Sequence, residues 1–560
     1  MDRRLNADRR VAVVGNGPVG QTTALLLARW GVPVVLLDAR AARDTIGSKA
    51  ICQQRDVLDV WESVGAGRRI ADEGVTWTTA RTFYRDEELF AYSLPDPGRS
   101  AFPPFVNVSQ ARTEEILDER IADQPLIDVR WGHRVTALDQ RADGVVFSCA
   151  TTAGSVDIEA AYAVACAGAR GEDIRRMLGV GFAGQSFDDR FLICDIEADL
   201  PGWAHERRFY FDPRWNPGRQ VLIHPCPESR FRIDWQVAGD FDLDEEEACG
   251  ALDARIRAIV GELPYAIVWK TVYRFHSRLV DRMRVGRVLL AGDCAHLVSP
   301  FGARGLNSGV GDAENAAWKL AFVLHGWAGE ELLESYHDER HAAAKENLDV
   351  TTATMEFLVP HDDKHRRRRV DVLTRAGTDP SVRSQVDSGR LAEPFWYVDS
   401  PLTTPDPSRP FAGRPPRGSV PAPAPGVLAP DVPVPIAGPT CRRFREIARD
   451  GFLLLAAPRV DLCAVRAAAR RAGTGPIRVL ELAGIDAGGA LTEVLGARED
   501  ELWVLRPDAY VAAVLTAPGA AEVLHALRRA HGGSGPQVIR RTSPGRRRGA
   551  QAAVAAPEWG

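Results

Sequence analysis

The sequence predicts a mixed α/β protein: a parallel sheet covered by helices, interrupted by an antiparallel sheet and then resumed, with a smaller α/β unit behind it. Three observations carry this. First, Arg10–Val14 is a short apolar strand, Pro18–Trp30 has helical periodicity, and Val32–Leu37 is a second buried-type strand. That is a βαβ unit, the start of a parallel sheet with helices on its faces. Second, the chain changes character between Phe187 and Val280, where Phe209-Tyr210-Phe211, Gln220–His224 and Phe231–Val237 read as antiparallel strands. Val288–Ala291 then resembles the first strands again, and a helix follows through Gly309–Gly326. Third, the Pro-rich stretch Thr403–Pro439 reads as a linker or surface-hugging connector. Beyond it lie strand signals at Gly451–Ala456, Ile477–Leu482 and Leu502–Leu505, and helical segments at Leu462–Ala472 and Ala520–Ala530.

A chain of 560 residues is too long for one ordinary core, so two or three domains are expected. The expected division is a discontinuous parallel-sheet domain over 1–186 and 281–400, an inserted antiparallel-sheet domain over 187–280, a linker over 401–426 and a C-terminal domain over 427–540. The Arg-, Ala- and Gly-rich residues 541–560 are expected to be disordered. A formal net charge of -5 gives no electrostatic case for nucleic acid or an anionic membrane. Charges interrupt every apolar stretch before the ~20 residues a spanning helix needs. Nine Cys with no CxxC and no Cys/His cluster point to unpaired thiols in a reducing cytoplasm, with no metal site. Met1–Arg10 is charged and runs into a strand, so no signal peptide is expected.

The strongest local signal is Gly15-Asn16-Gly17-Pro18-Val19-Gly20, a GxGxxG placed directly after a strand and opening a helix. In such a Rossmann-like turn Gly15 permits the tight bend, Gly17 lets the backbone approach a pyrophosphate, and Gly20 lets helix and strand pack closely. The helix N-terminus, with Pro18 in its first turn, offers free N–H groups and partial positive charge to the phosphates. Asp38 ends the second strand about 20 residues on, where a carboxylate bonds ribose hydroxyls. This loop alone leaves FAD and NAD both open.

A second motif decides between them. Val285–His296, containing Ala291-Gly292-Asp293, is followed by Pro300-Phe301-Gly302-Ala303-Arg304-Gly305-Leu306-Asn307-Ser308-Gly309, then Asp312, Asn315 and Trp318-Lys319-Leu320. Over Val11–Leu358, and more loosely beyond, the chain resembles the class A, p-hydroxybenzoate-hydroxylase-type flavoprotein monooxygenases. The nearest branches in pattern are the hydroxyphenylpropionate hydroxylases and the polyketide-tailoring aromatic hydroxylases. The resemblance implies FAD, with Asp293 on a ribityl hydroxyl and Pro300 beside the ring. It implies the turn Gly302–Gly305, leading into Leu306 and Asn307, at the flavin pyrimidine edge, where a helix N-terminus stabilises negative charge. It further implies Lys49, Gln54 and Arg55 along the pyrophosphate and substrate cavity, Gln110 against the flavin, the Val135 backbone at adenine, and Gly168 in the turn before the inserted domain. His296 reads as a packed or solvent-edge residue, not an acid or base. Ala303-Arg304 stands where many relatives carry Gly-Gln.

Two departures stand out. Ala167 replaces the family's usual Asp and Gly171 its usual Ser, which bears on FAD retention and hydride delivery. The C-terminal domain resembles the family's thioredoxin-like appendage, but Cys463 is alone, so a structural or homo-oligomer contact role is expected rather than redox exchange.

The resemblance implies NADPH or NADH as reductant, O2 as co-substrate and oxygen transfer to an electron-rich aromatic through a flavin hydroperoxide. The ring is expected between flavin and antiparallel sheet. Tyr210, His224, Arg232, Asp234 and Gln236 are the candidates for phenol contact or deprotonation, and alternation puts the last three on one face. Phe357, Pro360 and His361 are candidate wall residues, and Arg366–Arg369 reads as a solvated helix face. The alternatives on the same scaffold are oxidative rearrangement, Baeyer–Villiger insertion or epoxidation. A non-catalytic aromatic-ligand binding protein is the alternative outside enzymes.

Overall fold

The computed structural model describes residues 9–44, 50–94, 100–416, 419–435, 441–473 and 475–533. Lys49 and the tail 541–560 therefore lie outside the described residues. The first βαβ unit forms as its periodicity requires: β1 (Val11–Val14), α1 (Pro18–Arg29) and β2 (Val34–Leu37), with both strands buried throughout. Strands covered on both faces must be apolar at every position, which is why they read VAVV and VVLL. β3 (Tyr162–Ala165) pairs in parallel with the other side of β1.

The chain then leaves this sheet. β4 (Phe182–Ala198), β5 (Glu206–Phe211), β6 (Gln220–Cys226), β7 (Arg230–Val237) and β8 (Tyr265–Val280) build most of an eight-stranded sheet in the order His296–Leu297, β8, β4, β7, β6, β5, Thr79–Tyr84, Glu87–Ser93. Its last two strands come from the N-terminal stretch that the sequence placed wholly with the parallel sheet. Thr79–Tyr84 pairs in parallel with β5, so 79–93 belong structurally to the insertion's sheet. The short alternation there, with a tight turn at Arg85 (φ 56), forms a hairpin.

β9 (Val288–Leu290) returns the chain to the parallel sheet beside β3. The six strands then run Arg284–Val285, β9, β3, β1, β2, Ile127–Arg130. α2 (Arg304–Leu324) follows and lies against α1; it starts at Arg304, five residues before the expected Gly309. α3 (Glu334–Leu358) and α4 (Asp363–Thr378) then close over the antiparallel sheet, their Met355, Leu358, Val372 and Leu373 sharing a core cluster with Phe191, Phe209 and Phe211.

Past the Pro-rich segment, β10 (Phe452–Ala456), β11 (Ile477–Glu481), β12 (Glu501–Leu505) and β13 (Val511–Thr516) form a sheet in the order β11-β10-β12-β13, parallel in its first pair and antiparallel in the others. The connector hugs this sheet: Thr404 and Gly426 donate backbone hydrogen bonds to Ala512 and Val511. Buried ion pairs fasten the unit to the rest. Arg449 bridges Asp59 and Glu314, and Arg506 bridges Glu339 and Asp508. Among the described residues no helix is long and apolar enough to cross a membrane.

Candidate cofactor and substrate site

Three turns meet where β1, β3 and β9 end, the edge at which open α/β sheets bind ligands. The glycine loop shows each role separately. Gly15 has φ +111, and a Cβ there would fall 2.2 Å from the Cys166 carbonyl oxygen. A Cβ at Gly20 would fall 1.8 Å from the Gly15 oxygen, so helix and loop touch backbone to backbone. At Gly17 a Cβ would meet nothing within 4 Å: the loop is open only on the side where a phosphate must pass. Asp38 is buried and accepts hydrogen bonds from the Asn16 amide (2.9 Å) and from the backbone and guanidinium of Arg40. Burial works against its ionisation, but the Arg40 and Asn16 hydrogen bonds prevail and hold the carboxyl below its usual range. The fully buried Asn16 keeps one donor, Nδ2, without a partner.

The second turn, Gly168–Arg170, follows β3, and the third, Gly292–Cys294, follows β9. They interlock. A Cβ on Gly171 would lie 2.6 Å from the Cys294 thiol, which accepts the Ala167 amide. Burial pushes that thiol up to about 11, so it is a packing group and an acceptor, not a nucleophile. Asp293 is half-buried beside them. Asp312 on α2 receives the Gly292 amide (2.9 Å), His296 Nε2 (2.7 Å) and Arg340 Nε (2.7 Å). His296 is thus packed as expected.

At the start of α2, Pro300 is exposed and accepts the Ala303 amide, and Gly302 (φ +94) has no room for a side chain because the Arg390 carbonyl would lie 2.1 Å from it. The Ala303-Arg304 variation has a local explanation. Ala303 caps the helix at φ +57, and Arg304 runs away from the turn to donate to Arg390 O, Leu391 O and Asn347 Oδ1. Asn307 accepts the Gln54 amide (2.9 Å) and donates to Cys52 O (3.0 Å), tying the helix to the segment Cys52–Arg55. Leu306 packs on the main core, and Gly305 leaves 3.8 Å to Val298.

The antiparallel sheet turns one face towards these turns. Residues opposite one another in antiparallel strands share a face, so the register gives its rows directly. One row is His224, Arg232, Asp195 and Trp269; the next is Phe209, Leu222, Asp234, Ile193 and Thr271; the next is Phe211, Gln220, Gln236, Phe191 and Tyr273. Phe301, just before the α2 turn, lies 5.4 Å from Phe191 and 6.1 Å from Phe209. The face is an aromatic floor set with buried polar groups. Arg232 makes a two-pronged pair with Asp195 (2.7 and 2.8 Å). Asp234 is half-buried with its Oδ1 enclosed and unpartnered, and desolvation drives it up to about 7 against the pull of Arg232. Burial and the nearby Arg207 and Arg232 push the His224 ring well below its ordinary value, so it stays neutral, with Nδ1 unpartnered.

The family model for the FAD binding domain matches residues 8–351. The chain belongs to this FAD binding domain family. A 3-(3-hydroxy-phenyl)propionate/3-hydroxycinnamic acid hydroxylase of Mycobacterium sp. (strain JLS) is 29% identical over 68% of this chain and 66% of that protein, so the match spans just under two thirds of the relative's length. The crystal structure of the flavin-dependent monooxygenase PieE in complex with FAD and substrate superposes with a TM-score of 0.80, at 22% identity over 93% of this chain and 98% of that one. The ternary complex of aklavinone-11 hydroxylase with FAD and aklavinone superposes at 0.74, with 24% identity over 94% and 99%.

The residues present fit the family's cofactor. An open Gly17, an unpartnered Asn16 donor, the α1 N-terminus and the Asp38 carboxylate are what an adenosine diphosphate moiety needs. Gln110 accepts the Ala50 amide (3.2 Å), placing its helix beside the loop that carries Gln54 and Arg55. Val135 sits on the edge strand of a three-stranded sheet, and among the described residues no strand pairs with its outer side.

Of the substrate candidates, the structure brings His224, Arg232, Asp234 and Gln236 onto the face towards the cofactor turns. Tyr210 is not with them. Strand alternation sends it to the other face, where it stacks on Phe83 at 4.5 Å and joins the core beneath the helix Ala251–Val260. Arg369 likewise departs from the solvated face expected of its run and is 4% exposed. Sequence reasoning missed Asp195 and Tyr273, which reach this face only through the register with β4 and β8.

Proposed function

We propose that the chain is an FAD-dependent monooxygenase that hydroxylates an electron-rich, phenolic aromatic with NADH or NADPH and O2. The observation that carries this reading is Asp234: a half-buried carboxyl with one enclosed, unpartnered oxygen, set in an aromatic floor opposite the α2 turn. FAD, when bound, supplies hydride acceptance and oxygen activation. The chain's own residues do the rest. Phe191, Phe209 and Phe301 hold an aromatic ring and exclude water. Asp234, ionising near neutrality, accepts the phenol proton and makes the ring a better nucleophile. Arg232, kept charged by Asp195, steadies the phenolate, and neutral His224 offers a ring nitrogen to a second substrate oxygen. Relatives named 3-(3-hydroxy-phenyl)propionate/3-hydroxycinnamic acid hydroxylase and para-nitrophenol 4-monooxygenase support the same class.

In this reading 1–78, 94–186 and 281–400 hold the cofactor and the antiparallel sheet holds the substrate. The β11-β10-β12-β13 unit is a thioredoxin-like appendage without a redox pair, serving as a brace or a subunit contact. The chain works in the reducing cytoplasm, consistent with the unpaired thiols of its described cysteines. The test is anaerobic stopped-flow reduction of the reconstituted holoenzyme by NADH and NADPH, with and without phenols. Reduction accelerated by one phenol class is expected; a bound flavin that neither nucleotide reduces, with any phenol, refutes the proposal.

A further inference from the structure

Arg366, Arg367 and Arg368 face solvent at the start of α4, but Arg369 turns inward. Its guanidinium carbon lies 5.7 Å from the centroid of Phe211, on the aromatic floor. Its Nε and Nη2 are buried with no hydrogen-bond partner, and no salt bridge joins it among the described residues. Asp212 and Tyr84 are the ionisable groups that act on it, and neither bonds to it; the Asp212 Oδ1 is itself unpartnered. Around it α4 contributes Val372, Leu373 and Ala376 to an apolar cluster that gives no reason for a cation. Enclosing a guanidinium without a bonded anion is costly, and a fold retains such a charge where it serves recognition.

A second group points to the same corner. Gln220 is 1% exposed and directly opposite Phe211 in the β5–β6 register, and both its Oε1 and its Nε2 lack partners. Arginine donors and an amide therefore both flank Phe211 at one end of the floor. From there Phe211 leads to Phe209 (4.7 Å) and Phe209 to Phe301 (6.1 Å), beside the α2 turn. Phe357 on α3, 5.8 Å from Phe211, closes the corner and has to give way to a ligand.

We infer that Arg369 and Gln220 form an oxyanion subsite for the carboxylate of an aromatic acid whose ring lies against Phe209 and Phe301. The inference rests on the aromatic-substrate reading and narrows it. One arginine matches a carboxylate's single charge and paired oxygens. A nucleotide phosphate, more highly charged, suits the exposed arginines better.

The test is calorimetric binding of 3-phenylpropionate and its amide to the FAD holoenzyme, in the wild type, Arg369→Met and Arg369→Lys, with the melting temperature of each ligand-free protein. The wild type should bind the acid at least about tenfold more tightly than the amide. Arg369→Met should erase that preference and Arg369→Lys keep part of it. Ligand-free Arg369→Met should melt no lower than the wild type, because it sheds an uncompensated buried charge. Equal wild-type affinity for acid and amide overturns the subsite and leaves the hydroxylase reading standing; a holoenzyme that binds neither overturns both. An Arg369→Met protein that unfolds or melts lower marks a structural cation, and one that loses only a preference for NADPH over NADH marks a phosphate site. Either overturns the inference.

Discussion

Replacing Asp234 with Asn separates the proton chemistry from the packing. Burial raises this carboxyl from 3.8 to about 7, which corresponds to roughly 4 kcal/mol in favour of the neutral form. The folded protein holds a proton that the unfolded chain releases, so folding takes up that proton between pH 3.8 and about 7. Stability contributed by this group is present at low pH, falls as pH rises through that window, and is fully lost above it. An amide has the same shape and never ionises. Asp234→Asn should therefore match the wild type near pH 4, gain on it steadily towards pH 7, and hold a constant lead of about 2–4 kcal/mol above that. The same substitution removes the acceptor for the phenol proton, so turnover should fall about 10²-fold. Its pH profile should also lose the limb that rises through neutrality. Denaturant titrations of the holoenzyme from pH 5 to pH 8.5, with kcat over the same range, measure both. A stability difference that does not change with pH, or a variant that keeps the wild-type rising limb, would refute the assignment.

Other outcomes follow from the turns. Gly17→Ala, where a Cβ has open space, should leave the apoprotein's melting temperature unchanged and weaken FAD at least about tenfold by blocking the pyrophosphate; Gly20→Ala, which collides with the Gly15 oxygen, should lower both, as fluorescence titration and melting curves will tell. Gly171→Ala should weaken FAD because its Cβ meets the Cys294 thiol at 2.6 Å, and Cys294→Ala in the same chain should restore most of the affinity; additive losses would argue against that coupling. Arg449→Met removes the cation that pairs with Glu314 and leaves Asp59 to Arg445, and should cost about 3–5 kcal/mol in chemical denaturation.

What the sequence revealed tracks how local each signal is. The βαβ unit and the Gly15–Gly20 loop follow from nearest-neighbour chemistry, and the structure places Gly15, Gly17, Gly20 and Asp38 around one opening. Alternation sorted Arg232, Asp234 and Gln236 onto one face, but it equally shows that Tyr210, flanked by Phe209 and Phe211, has to point away. Asp195 and Tyr273 were out of reach, since their neighbours on the face are set by strand register across dozens of residues. The hairpin 79–93 was hidden for a similar reason: its partner strand begins more than a hundred residues later. Arg369 looked like its three exposed neighbours because one helical turn's rotation, invisible in a run of identical residues, decides which of them faces the core.

The most direct test of the account is to supply the reconstituted holoenzyme with NADH or NADPH, a panel of phenolic acids and isotopically labelled dioxygen, and to weigh the products. The account predicts a product heavier than its substrate by one labelled oxygen atom on the ring, formed with nicotinamide oxidation that the substrate stimulates. Nicotinamide oxidation that no aromatic stimulates, or products that gain no labelled oxygen, would contradict it.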